Sequence, residues 1–149
     1  MTANEETRPT PLTIDFAKSG GLIPAIIQDH RSGEVLMLGF MNAPSLAETQ
    51  RSGQVTFFSR SRNQLWKKGE SSGHVLQVRE ILTDCDADAL LVRVDPVGPG
   101  VCHEGYRSCF FRRVEHSVSP SANEPISATI IAEKTFDPSA VYSTSPEKK

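Results

Sequence analysis

Leu22-Ile23-Pro24-Ala25-Ile26-Ile27-Gln28 runs into Asp29-His30-Arg31-Ser32-Gly33, and Glu34-Val35-Leu36-Met37-Leu38-Gly39-Phe40-Met41 follows. Two apolar, β-branched-rich runs of strand length flank a polar break that contains a glycine, which is the pattern of a β-hairpin. Just after this hairpin, Asn42 is placed to cap a helix, with Pro44 in its first turn, Leu46 and Ala47 on an inward face, and Ser52-Gly53 as the stop. Strand composition returns at residues 54–59, 74–82, 89–94 and 110–114. The fold class expected is α+β, predominantly antiparallel β with short helices.

Residues 13–115 form the expected domain, between a flexible N-terminus (residues 1–12) and a Ser/Pro-rich tail (residues 116–149). That tail is relieved only by the apolar residues 126–132, which are able to add one strand against the core. The 149 residues suit a single domain, and 38% hydrophobic with 23% charged residues is a globular composition. A net charge of -2 supplies no field for nucleic acid or an anionic membrane. No apolar run reaches membrane-spanning length, and the polar start carries no signal-peptide core. The chain is therefore read as cytoplasmic. In that reducing compartment its three cysteines serve as metal ligands or nucleophiles rather than as disulfides.

Three strings concentrate chemistry. In Asp84-Cys85-Asp86-Ala87-Asp88, an extended backbone places the three aspartates on one face and turns Cys85 away from them. Close carboxylates repel unless a cation neutralises them, and oxygen ligands suit magnesium or calcium. An EF-hand is excluded, because the glycine and glutamate positions it requires hold Ala89 and Asp95. In the second string, Gly98-Pro99-Gly100-Val101-Cys102-His103-Glu104-Gly105-Tyr106-Arg107-Ser108-Cys109, two cysteines and a histidine sit in a glycine-rich loop. With Cys85 there are three thiols. Three protein ligands leave a zinc ion an open position for water, whereas a fourth from His103 closes the shell. Buried, apolar thiols are the competing explanation, and it is strongest for Cys85. The third string is Ser59-Arg60-Ser61-Arg62 with Trp66-Lys67-Lys68-Gly69-Glu70-Ser71-Ser72-Gly73-His74. Its guanidinium, hydroxyl and backbone donors suit a phosphate, and Trp66 suits a base. A charged hairpin anchored by a core tryptophan explains the same string.

Together and in this order, these strings resemble the phosphoribosyl-AMP cyclohydrolase family. The resemblance runs through Gly21-Leu22-Ile23-Pro24-Ala25, Met41-Asn42, Phe58-Ser59-Arg60-Ser61-Arg62, Lys68-Gly69-Glu70, Ser72-Gly73-His74, Asp84-Cys85-Asp86, Cys102-His103 and Ser108-Cys109-Phe110. It covers roughly residues 14–113. Glu104 departs from the threonine found in many members, and the approach at residues 98–101 is a residue longer than in some. The tail shows nothing like the helical diphosphohydrolase domain fused to certain relatives.

The resemblance implies a hydrolase of histidine biosynthesis that opens the adenine ring of 1-(5-phosphoribosyl)-AMP at the N1–C6 bond. It implies zinc on Cys85, Cys102 and Cys109, magnesium on Asp84, Asp86 and Asp88, and an intertwined homodimer sharing the zinc site between subunits. Zinc would activate the attacking water, and His103, then His74, is the candidate to move the proton. Ser59, Arg60, Arg62, Trp66, Lys68, Gly69, Ser72 and Arg107 are the candidate substrate-binding residues. The alternative from another class is a non-enzymatic zinc-stabilised binding module. A base deaminase is excluded, since it needs His-x-Glu with Cys-x-x-Cys and neither string occurs.

Overall fold

The structure, a computed structural model, describes residues 7–142. The opening hairpin forms as expected: β1 is Ile23–Asp29 and β2 is Val35–Met41, paired antiparallel. Alternation on β1 buries Ile23, Ala25 and Ile27 completely. The pairing slips once, from Ile27 opposite Met37 to Gln28 opposite Val35, so Leu36 is an extra residue in β2. Such a bulge leaves a backbone carbonyl outside the ladder, and the loop bearing Cys109 uses it.

Helix α1 (Ala43–Ser52) follows directly. Asn42 accepts the Ser45 N–H and Ser45 Oγ accepts the Asn42 N–H, a reciprocal capping box, with Pro44 in the first turn. Gly53 ends the helix in the left-handed region, at φ 72°. The inward face departs from expectation. Ser45 and Thr49 are the buried helical residues, Leu46 is half-buried and packs against the core, and Ala47 faces solvent. Thr49 Oγ1 donates to the Ser45 carbonyl (2.8 Å) and accepts the Thr56 N–H (3.0 Å). Those bonds are what let a hydroxyl replace an alkyl group inside.

Strands β3 (Thr56–Ser59) and β4 (Gln64–Lys67) make a second hairpin. The sequence reading did not separate β4, because its burial pattern shows one inward residue, Trp66, among polar neighbours. The Phe57 ring of this hairpin packs on β2 at Gly39, where a Cβ would come within 2.4 Å of it.

Strands β5 (Leu76–Thr83) and β6 (Leu90–Pro96) complete a four-stranded sheet of order β2-β1-β6-β5. Its pairs are antiparallel except β1 with β6, which run parallel in register Ala25 to Leu90 and Ile27 to Val92. Parallel register places Leu90, Val92 and Val94 on the face of Ile23, Ala25 and Ile27, and these residues build the core with Leu36, Met37, Met41, Val55, Phe57, Trp66 and Leu76. Finally β7 (Arg112–Val114) pairs with β8 (Ala128–Ile130), and a short α2 (Pro138–Val141) ends the described chain. The tail thus contributes a strand, though both β7 and β8 are exposed. The fold is α+β and rich in antiparallel pairs.

Candidate active site

The acidic string is not extended. Residues 84–88 form the turn joining β5 to β6, closed by the Asp88 and Ala89 N–H groups on Asp84 Oδ1 at 3.0 and 3.2 Å. Ala87 sits at φ 57°, a conformation uncommon for an alanine side chain. Strand alternation therefore does not gather the aspartates; the turn does. One carboxylate oxygen from each of Asp84, Asp86 and Asp88 lies within 4.8 Å of the others, the sole such group of three metal-ligating side chains among the described residues. An ammonium already offsets part of their charge, pairing with two of the three. Lys18, from the 3-10 turn Ala17–Ser19, reaches Asp86 at 2.5 Å and Asp88 at 2.9 Å. Its hydrogen bonds hold Asp86 below the usual carboxylate range, and the two aspartates push Lys18 above the usual amine range. The sequence reading missed Lys18, which lies 68 residues before Asp86.

The thiol string is a tight hairpin. Val101 N–H donates to the Arg107 carbonyl, Cys102 N–H to the Tyr106 carbonyl and Gly105 N–H to the Cys102 carbonyl, leaving His103 and Glu104 exposed at the tip. Cys102 is buried, Cys109 is partly so, and Tyr106 stacks on Phe111 at 3.8 Å to make a small second core around them. A hydrogen bond with Cys109 is the chief reason the Cys102 thiol is pushed down to about 6. Burial opposes that shift, and the Glu104 backbone and His103 support it.

Distant segments hold this hairpin in place. Cys109 N–H donates to the Leu36 carbonyl freed by the bulge (2.7 Å), and Ser108 Oγ donates to the Val35 carbonyl (2.7 Å). Arg107 pairs with buried Asp29 and with Glu34 (3.0 Å) across the first hairpin. Burial acts to raise Asp29. The Arg31 and Ser32 N–H groups and the Arg107 charge outweigh it and hold Asp29 below the usual range. Cys85 is exposed on the acidic turn and does not join Cys102 and Cys109 within one chain; nor does His103 make a third ligand with them.

The candidate substrate residues fall into two groups. Arg60 and Arg62 are exposed at the β3–β4 turn, Arg60 over the Phe40 ring at 4.0 Å and Arg62 at 3.7 Å from Glu70. Ser59 is buried beneath them, its Oγ accepting the Arg62 N–H (3.3 Å). Trp66, by contrast, is 1% exposed and tilts against Phe57 at 5.5 Å. It is a core residue with no face open to a base. Lys68 is 2% exposed with its ammonium 5.8 Å from the Trp66 ring, and Arg107 is engaged by two carboxylates.

Gly69, at φ 88°, lets the backbone of Val75 approach so closely that a Cβ would meet its nitrogen at 2.5 Å. Ser72 Oγ accepts the His74 N–H (3.1 Å) in the same tight loop. His74 is half-buried, edge-on to Phe136 at 5.0 Å and against Gly98, so it faces the approach to the thiol hairpin.

Among the described residues no helix is long and apolar enough to cross a membrane. An α+β domain whose strand-end turns carry clustered carboxylates, paired thiols and exposed imidazole and guanidinium groups has the build of a small hydrolase. Comparison with known proteins fixes which kind. The phosphoribosyl-AMP cyclohydrolase family model matches residues 37–111. The phosphoribosyl-AMP cyclohydrolase of Solibacter usitatus is 56% identical over 131 residues, spanning 88% of this chain and 97% of that protein. Those of Desulforapulum autotrophicum and Geobacter sulfurreducens are 53% and 52% identical, over 87% and 88% of this chain and 97% and 98% of their own lengths. The chain belongs to the phosphoribosyl-AMP cyclohydrolase family, a family of hydrolases, and the alternative of a non-enzymatic binding module is set aside.

Proposed function

We propose that the protein opens the adenine ring of 1-(5-phosphoribosyl)-AMP in histidine biosynthesis, adding water at C6 and breaking the N1–C6 bond. The observation that carries the reading is the hydrogen-bonded Cys102–Cys109 pair, one thiol depressed to about 6, beside the exposed His103. Two such thiols fit a soft divalent cation such as zinc but are one ligand short of a catalytic site. The exposed Cys85 of a partner subunit in a homodimer completes the set. Zinc bound there supplies a Lewis acid that makes water nucleophilic near neutral pH.

The chain's own residues do the rest. The water oxygen becomes the carbonyl oxygen of a carboxamide at C6, and N1 departs with a proton. His103, on the hairpin tip, moves that proton, and His74 is the second candidate. Arg60 and Arg62 bind a substrate phosphate from the β3–β4 turn. Arg107, held by Asp29 and Glu34, fixes the thiol hairpin more than it contacts substrate. The three aspartates fit magnesium once Lys18 withdraws, and a hard cation there orients a phosphate or ribose.

The test is turnover. Pure, zinc-loaded protein is expected to consume phosphoribosyl-AMP, followed by ultraviolet absorbance, and to leave phosphoribosyl-ATP untouched. His103→Ala is expected to lower kcat by about 100-fold with KM within about twofold, the signature of a group acting in the transition state. Zinc-loaded protein inert toward phosphoribosyl-AMP overturns the reading.

A further inference from the structure

Residues 134–138 of the tail lie against the thiol hairpin. Gly105 accepts the Thr135 N–H (2.8 Å) and the Phe136 N–H (3.3 Å), and Tyr106 bridges to Lys134. The fit is close enough to exclude a side chain at two points. A Cβ on Gly105, already at φ 98°, would meet the Phe136 carbonyl oxygen at 2.7 Å, and one on Gly100 would meet Thr135 Oγ1 at 2.8 Å.

The same segment then turns its one aromatic side chain onto His74. The Phe136 and His74 rings meet edge to face, centroids 5.0 Å apart and planes at 90°. On another side of the imidazole is Gly98, where a Cβ would sit 2.5 Å from His74 Cδ2. Asp137 stops the strap by capping α2, its Oδ1 accepting the Ser139 N–H (3.0 Å). Phe136 is therefore fixed at both ends, its backbone bound to the thiol hairpin and its ring bound to the imidazole.

We propose that Phe136 is a positioning residue that locks His74 and the Cys102–Cys109 hairpin into one arrangement. The inference rests on the proposed hydrolytic function, because it assigns the tail a task in that reaction. Edge-to-face aromatic contacts have a directional preference, so Phe136 sets the orientation of the imidazole as well as filling space beside it. Small misplacements of reacting groups cost rate more than affinity.

Three readouts on the full-length chain test this. Phe136→Ala is expected to lower kcat for phosphoribosyl-AMP about tenfold with KM within about twofold, and Phe136→Tyr, which keeps the ring, to stay within about twofold of wild type in both. In metal-free protein, Phe136→Ala is expected to speed iodoacetamide alkylation of Cys102 and Cys109 about fivefold, read by peptide mass spectrometry, and to leave amide hydrogen exchange in the core strands β1 and β6 at its wild-type rate. The His74 ring-proton resonances are expected to shift in Phe136→Ala and not in Phe136→Tyr. With an active wild type, a Phe136→Ala kcat within twofold of wild type, a loss confined to KM, or failure of Phe136→Tyr to restore the rate overturns the proposal. Equal acceleration of exchange in β1 and β6 also overturns it, since the effect is then general loosening. A wild type inert on phosphoribosyl-AMP defeats the functional reading instead, and alkylation and the His74 resonances then decide the positioning claim unaided.

Discussion

The acidic turn and the thiol hairpin are built by opposite means. Residues 84–88 close on themselves through bonds spanning four or five residues, and one chain brings all three carboxylates together. Residues 101–109 depend on Leu36, Val35, Asp29 and Glu34, more than 70 residues earlier, and on Thr135 and Phe136 near the end of the described chain. Even so, one chain gathers only two thiols. A locally closed cluster forms with its turn and needs only charge compensation, part of which Lys18 provides at Asp86 and Asp88. A cluster assembled from distant segments exists only when the whole fold does, and within one chain it gathers no third metal-ligating side chain among the described residues. The two sites should therefore respond differently to mixing, to loss of a neighbour and to pH.

The largest expected effect comes from mixing. Cys85→Ser protein and Cys102→Ser/Cys109→Ser protein are each expected to be inactive. On the shared site proposed above, an equal mixture, after subunit exchange, should recover about a quarter of wild-type activity, because half the dimers would be mixed and each would hold one intact site of two. No recovery after exchange confirmed by mass spectrometry, with both variants folded, breaks the comparison by placing all zinc ligands within one chain. The acidic turn should show no such complementation: Asp86→Asn and Asp88→Asn proteins mixed together should remain as impaired as either alone.

The same contrast explains what could be read from sequence. The first hairpin and the α1 cap were legible because apolar alternation and short polar loops are local signals. The aspartate cluster was legible as a cluster, but for the wrong reason. Proximity in sequence brought the carboxylates together through a turn, although a strand was expected. Ala47 was placed inward by periodicity, whereas buried Ser45 and Thr49 found backbone partners that no pattern of apolar residues announces. The Lys18 ion pairs, the bulge carbonyl of Leu36 and the strap at Phe136 are long-range contacts, with no periodicity to betray them. Phe136-Asp137-Pro138 did carry a signal, an aromatic residue before a capping aspartate and a helix-starting proline.

The next effect sharpens the chemistry of the thiol pair. In metal-free protein Cys102 should alkylate with a pH profile centred near 6. Cys109→Ala removes the bond chiefly responsible and should return the midpoint toward the ordinary value of 9.0. At pH 7 the thiolate fraction of Cys102 then falls from about nine-tenths to about one-hundredth. A profile that Cys109→Ala leaves in place would assign the shift to His103 and the backbone instead. On the acidic turn, Lys18→Met should raise affinity for magnesium about threefold at low salt, read by calorimetry, and the gain should shrink as salt screens the charges. Unchanged affinity would show that Lys18 does not compete for these carboxylates in solution.

The smallest effect concerns Asp29, the buried carboxylate anchoring the thiol hairpin to β1. Its folded-state pKa lies below the ordinary 3.8, so the ionised form is favoured by folding. That contribution is fully present above about pH 4 and is lost as pH falls through the folded value. Asp29→Asn keeps an oxygen for the Arg31 and Ser32 N–H groups but gives up the charge facing Arg107. A cost of about 1.5–3 kcal/mol at pH 7 is expected, the range for a hydrogen bond to a charged group. Measured by urea unfolding, the gap between wild type and variant should stay constant from pH 7 to 5 and close as the acid limit is approached. A gap unchanged down to pH 3 would mean that packing, not charge, fixes the hairpin at this anchor. In that event the acidic turn, whose Lys18 pairs are lost when Asp86 and Asp88 protonate, is the more acid-sensitive of the two sites, and the long-range hairpin is held by packing.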